Sequence, residues 1–155
     1  VAAPQLRDAT ARDADACAGL LAELGYPCAA SEASTRLAAL RGDPAQHLRV
    51  AVDASGRVLG LAHAGIRCSL ELGRHAELLT LVVTADARGQ GVGSLLLADC
   101  ERWARGVGLP LWLRSRIARS DAHAFYARRG WQRIKTQHVF RHAPAGTSGA
   151  GMPEA

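Results

Sequence analysis

The residues best suited to chemistry are six in a row, Arg88-Gly89-Gln90-Gly91-Val92-Gly93. They follow an apolar, β-branched run, Leu78-Leu79-Thr80-Leu81-Val82-Val83-Thr84, and open a helix-like stretch from Ser94 to Arg105. A strand feeding a glycine-rich turn and then a helix N-terminus makes an anion seat. Glycine lets the backbone bend tightly and approach a ligand, while amide N–H groups and the helix dipole point at it. Arg88 adds a positive charge at the same mouth. The guest this chemistry implies is a phosphate or a pyrophosphate.

Spacing narrows the choice of guest. A nucleotide P-loop closes on a Lys-Ser/Thr pair, and the chain's one lysine is Lys135. A dinucleotide fingerprint needs G-x-G-x-x-G, whereas Gly89, Gly91 and Gly93 alternate. Kinase glycine loops lie between two strands. The pattern present is R-x-x-G-x-G, and with it the chain resembles the GCN5-related N-acetyltransferases. Ala76-Glu77-Leu78-Leu79-Thr80-Leu81-Val82-Val83-Thr84 is similar to that family's central strand. Val92-Gly93-Ser94-Leu95-Leu96-Leu97 resembles its pyrophosphate-facing helix. Ala122-His123-Ala124-Phe125-Tyr126-Ala127-Arg128-Arg129-Gly130-Trp131 resembles its later segment of helix, glycine and aromatic residue.

The resemblance implies acetyl-CoA as co-substrate and an amine as acceptor. It implies that Leu81, Val82 and Val83 offer backbone groups to the pantetheine arm, and that Arg88, Gly89, Gln90, Gly91, Val92, Gly93 and Ser94 hold the pyrophosphate. Tyr126 then lies near the cofactor sulfur as a candidate acid, and it is counted with the cofactor-binding residues. Arg119 stands where the family often has an asparagine that contacts pantetheine. Glu77 is the candidate base, directly or through water; His75 and Glu71 are rivals on the same approach, and His123 shares a helix face with Tyr126. The chemistry asks for such groups, because an alkylamine of pKa ~10 must lose a proton and a thiol of pKa ~8.5 leaves more easily when protonated.

These residues need elements to position them. Leu6 to Ala9 predicts a strand, and Thr10 or Asp13 caps a helix that runs to Leu24 and stops at Gly25. A second helix is predicted for Ser31 to Arg41, with Leu37 and Leu40 inward. Strands follow at His47 to Val52 and Arg57 to Leu70, joined by the turn Asp53-Ala54-Ser55-Gly56, and a turn near Gly73 leads to the central strand. After the helix at 94–105 come a strand (Leu109 to Ser115), a helix (Ser120 or Asp121 to Gly130) and a last strand (Trp131 to Arg141). Phe125 is expected in the core with Tyr126 at a cleft. The order β-α-α-β-β-β-α-β-α-β describes an α/β fold, a mixed, mostly antiparallel central sheet with helices on both faces. It is the order of the acyl-CoA N-acyltransferase fold.

With 155 residues, 48% hydrophobic and 21% charged, the chain suits one acetyltransferase domain over 1–142, with a disordered, Gly/Pro-rich tail at 143–155. No apolar run is long enough for a membrane span, no signal peptide is read, and a cytoplasmic enzyme is expected. Cys17, Cys28, Cys68 and Cys100 lack zinc-site spacing and are read as small core hydrophobes, so no metal is expected. Trp103 and Trp112 are read as core anchors. The net charge of +5 favours anionic coenzyme A over polycationic acceptors, and the scattered arginines argue against nucleic acid. Two alternatives stand beside direct N-acetyl transfer: a non-catalytic acyl-CoA-binding module, and an acetyltransferase of aminoacyl-tRNA. The acceptor pocket is expected between Pro27 and Arg41, the turn near Gly73 and the residues after Lys135, and a homodimer by resemblance.

Overall fold

Alternation along the strands decides which face each residue serves. In the computed structural model, which describes residues 2–144 and 146, the chain forms two units, Val1–Leu113 and Arg114–Ala155. The first holds β1 (Gln5–Asp8), α1 (Ala14–Leu24), α2 (Ala30–Leu40), β2 (Gln46–Val52), β3 (Val58–Ser69), β4 (Gly73–Val83), α3 (Val92–Gly106) and β5 (Leu111–Leu113). The strands make one sheet in the order β1-β2-β3-β4-β5. All pairs are antiparallel except β4–β5, which is parallel.

Helices cover both faces. Leu61 and Val82, opposite each other in the β3–β4 ladder, join Val50 and Val52 in a core with Cys17 and Leu20 of α1 and Leu37 of α2. The next pair, Gly60 and Val83, points the other way and meets α3. There Leu96, Leu97 and Cys100 are fully buried. A Cβ on Gly60 would lie 2.9 Å from both Leu96 Cδ1 and the Val82 oxygen, so only glycine lets α3 come this close. Beside it, the buried Asp99 carboxylate accepts hydrogen bonds from His47 Nε2 and Arg102 Nη2, both at 2.8 Å, while Trp103 stacks on His47. Burial acts to raise the Asp99 pKa, but these bonds and the Arg49 charge outweigh it, and the group titrates below its usual range.

Local signals set the helix ends. Arg7 makes a two-pronged pair with Asp13 (2.8 Å each), whose carboxylate also accepts the Thr10 N–H at 2.7 Å, pinning β1 to the start of α1. Gly25 ends α1 at φ +94°. Cys17 and Cys100 are buried in the core, and burial pushes their thiols up to about 11 and about 12. Cys28 is half-buried and Cys68 is exposed near the end of β3, so the core reading fails for Cys68.

In the second unit α4 spans Ser120–Ala127 and none of its residues is buried. Phe125 is half-buried, with the Arg129 guanidinium 3.9 Å over its ring, and not in a core as its neighbour Tyr126 had suggested. The predicted strand at Trp131–Arg141 is absent, and Ile134, Val139 and Phe140 are exposed. Strand formation depends on a neighbouring ladder for the backbone groups, and this segment has none among the described residues. The sheet therefore has five strands and not six. Of the tail expected to be disordered, residues 145, 147–155 lie outside the described residues.

Candidate active site

A register slip opens the central strand. His63 pairs with Thr80 but Ala64 pairs with Leu78, so Leu79 is an extra residue bulged out of β4. The parallel ladder to β5 covers only Ala76, Glu77 and Leu78, and it stops at this bulge. Beyond it, antiparallel alternation divides the backbone. The Thr84 N–H donates to the Leu59 carbonyl at 2.9 Å, so Val82 and Thr80 also turn their peptide groups to β3. Leu81 and Val83 turn theirs to the side that β5 has left. The Val83 carbonyl takes the Arg88 Nε at 3.1 Å. An extended, amide-bearing arm can add there as a surrogate strand, through Leu81 and the Val83 N–H. Val82 offers no such edge, since its backbone faces β3 and its side chain is in the core.

The same strand runs into the glycine loop. A 3-10 turn, Ala85–Ala87, leads to Gly89 (φ +75°) and Gly91 (φ +83°), conformations a side chain would strain. Gly91 is the N-cap of α3 and no side chain caps that end. Leu95 is the first amide bonded back into the helix, to the Gly91 carbonyl at 3.0 Å. The amides of Val92 and Gly93 precede it, with Ser94 half-buried in the same turn. Gly93 is helical without a positive φ. The exposed Gln90 donates to the Asp86 carbonyl at 2.8 Å.

Arg88 is also engaged within the chain. Its Nη2 donates to Glu23 Oε2 of α1 at 3.0 Å, and the same oxygen accepts the Ala85 N–H at 3.1 Å. The guanidinium thus ties the end of β4, the loop and α1 together.

Glu77 lies on the α1 side of the sheet, 8% exposed and opposite Gly65, with Arg67 Nε 3.9 Å from its Oε2. His75 shares that face; its Nδ1 donates to the Gly73 carbonyl at 3.2 Å and its ring meets Trp112 edge-on. Glu71 is exposed in the hairpin turn. The sequence reading missed His63. Alternation from Leu61 places it on the Glu77 face, and that inward parity was the signal available. Its Nε2 donates to Gln46 Oε1 at 2.8 Å. Burial, with the Arg67 charge added, pushes its pKa down to about 4, so the ring is neutral at physiological pH.

In the second unit, Tyr126 is half-buried on α4, its ring 5.3 Å from Phe125 and 5.9 Å from Trp131. Arg119 is the N-cap of that helix, and its carbonyl accepts the His123 N–H at 3.1 Å. Among the described residues no cluster of three or more His, Cys, Asp or Glu side chains could hold a metal, and no helix is long and apolar enough to cross a membrane.

A parted strand thus lies beside a helix N-terminus that no side chain caps. The acetyltransferase (GNAT) family model matches residues 15–131. The chain is 36% identical over 138 residues to the aminoalkylphosphonate N-acetyltransferase of Salmonella typhimurium, covering 83% of this chain and 84% of that one. A structure described as a transcriptional regulator from Bacillus halodurans superposes with a TM-score of 0.79 at 21% identity, over 90% of this chain and 99% of that one. The glucosamine-6-phosphate N-acetyltransferase of Arabidopsis thaliana does so with 0.77 at 15% identity, over 92% and 100%. At such identities the two structures speak for the fold alone. The sequence matches, spanning the glycine loop and the bulged strand together, carry the rest: this chain belongs to the GNAT family and is an acetyl-CoA-dependent N-acetyltransferase.

Proposed function

We propose that the enzyme transfers acetyl directly from acetyl-CoA to the primary amine of a small acceptor that also carries an acidic group, of the aminoalkylphosphonate kind. The observation that carries this reading is the 36% identity to an enzyme of that name over most of both chains. The net charge of +5 supports it, since it favours an anionic acceptor over a polycationic one.

The reaction divides among named residues. The amides around Gly91–Ser94 hold the diphosphate, and the open backbone at Leu81 and Val83 aligns the pantetheine. Glu77, directly or through one water, takes the proton from the acceptor ammonium. The freed nitrogen attacks the thioester carbonyl, whose developing charge is met by a β4 amide at the bulge. The tetrahedral intermediate collapses, the C–S bond breaks, Tyr126 gives the departing thiolate a proton, and the nitrogen gives up its remaining excess proton to water to leave the neutral amide. Arg119 caps the helix that carries Tyr126. We place the enzyme in the cytoplasm, where acetyl-CoA is available, as a homodimer.

The test is thiol release from acetyl-CoA with a panel of amines, each product weighed by mass spectrometry. A short aminoalkylphosphonate is expected to be the best acceptor. Tight coenzyme A binding with no acetylated amine would overturn this acceptor class and leave the acyl-CoA-binding module or the acetyltransferase of aminoacyl-tRNA.

A further inference from the structure

We infer that Arg67 determines specificity by gripping the acidic group of the acceptor while Glu77 takes the amine. The inference rests on the acceptor class proposed above and names the residue that reads it.

Three pairs step along the α1 face away from the bulge: His63 with Thr80, Gly65 with Glu77, Arg67 with His75. Arg67 therefore stands two residues beyond Glu77, roughly 7 Å along the strand. Its side chain reaches back until Nε is 3.9 Å from the Glu77 carboxylate. That separation is too long for a hydrogen bond, so the pair is held by charge alone. Arg7 is spent on Asp13, Arg49 on Asp8, and Arg88 beyond the end of β4 on Glu23, while Arg74 pairs with Cys68 one step along the ladder and so stands on the opposite face. Among the described residues Arg67 donates no hydrogen bond, which leaves its planar set of donors for a ligand.

Charge on this face is correspondingly sparse. Glu77 is one buried carboxylate, His63 is held neutral, and His75 spends its Nδ1 on a backbone carbonyl. A molecule with a cation and an anion separated by one or two carbons matches Glu77 and Arg67 together. Bound there, its two charges would each meet an opposite charge on the protein. A plain alkylamine satisfies Glu77 and gives Arg67 nothing. Phosphonate oxygens suit the guanidinium fork, whereas lysine supplies only a point charge.

The experiment compares Arg67→Gln and Arg67→Lys with the unaltered enzyme on two acceptors of equal carbon count, an aminoalkylphosphonate and an alkylamine. Arg67→Gln should lower kcat/KM for the phosphonate about 30- to 100-fold, through KM, and leave the alkylamine within about 3-fold. Arg67→Lys should keep part of the preference. The KM for acetyl-CoA should stay constant, which reports an intact fold. If phosphonate preference survives in Arg67→Gln, or if both acceptors lose equally, Arg67 is not the reader and the acceptor class still stands. If the unaltered enzyme itself shows no preference for the phosphonate, the acceptor class fails first.

Discussion

Glu77, the proposed base, is buried, with the Arg67 guanidinium 3.9 Å from its carboxylate. Removing its charge while keeping its shape isolates that role. Glu77→Gln is expected to lower kcat about 10²- to 10⁴-fold with little change in acetyl-CoA binding, and Tyr126→Phe to lower kcat less, about 10-fold or more. Steady-state kinetics with direct titration of coenzyme A separates the two quantities; unchanged kcat in both variants would remove this proton scheme. His63 makes a prediction of another kind. Its pKa is about 4 in the folded chain, against about 6.5 for an unperturbed imidazole. Between those values the unfolded chain binds a proton that the folded one refuses. The stability tied to this ring is therefore complete above pH 6.5 and declines as pH falls toward 4. Asp13 and Asp99 have lowered pKa values, so their own losses come beneath that window. Urea unfolding from pH 7.5 to 4.5 should show the natural chain losing on the order of 2 kcal/mol more than His63→Gln, after allowance for partial solvent screening. Parallel curves would mean that the ring protonates freely.

At the scale of elements, the proposed cofactor seat is a joint product of β4, the glycine loop, α3 and α1. Gly91→Ala puts a Cβ on a residue at φ +83°, where open space surrounds it and only the backbone objects. The helix start must shift or strain by roughly 1–2 kcal/mol, so coenzyme A affinity should fall about 10-fold or more. Gly93, helical already, should tolerate alanine better as far as the backbone is concerned. Glu23→Gln tests the anchoring from behind: losing the Arg88 pair and weakening the bond to the Ala85 amide should raise KM for acetyl-CoA several-fold and leave kcat near its natural value. A fall in kcat with KM unchanged would contradict a purely positioning role. These parts differ in how far sequence shows them. Gly25, Gly89 and Gly91 are local punctuation, so the loop and the helix ends are legible. The bulge at Leu79 is not, because the stretch from Leu78 to Val83 is apolar on either side of Thr80 and a slip of one residue leaves little mark in such a run. The Arg88–Glu23 pair joins positions 65 residues apart, beyond the reach of any spacing rule. The segment at 131–141 reads as strand from its residue types, but it finds no ladder partner among the described residues and stays irregular.

For the whole molecule the relevant quantity is the surplus of positive charge. Many arginines of the first unit are neutralised in place by Asp8, Asp13, Asp86, Asp99 or Glu23, and the surplus behind the net +5 lies in residues 114–155, which hold eight basic and two acidic residues. Such a field acts by long range and yields to salt, since the screening length shrinks from about 10 Å at 0.1 M to about 3 Å at 1 M. It raises the encounter rate of anions and leaves short-range bond-making untouched. Acetyl-CoA and an aminoalkylphosphonate both benefit; a plain alkylammonium does not. Raising ionic strength from about 0.05 M to about 0.5 M should therefore increase KM several-fold for the first two, lower it or leave it level for the alkylamine, and keep kcat at saturation constant. A KM for the phosphonate acceptor that ignores salt, while that for acetyl-CoA rises, would confine the charge effect to the cofactor. Specificity for the acceptor would then have to come from short-range contacts on the β3–β4 face alone.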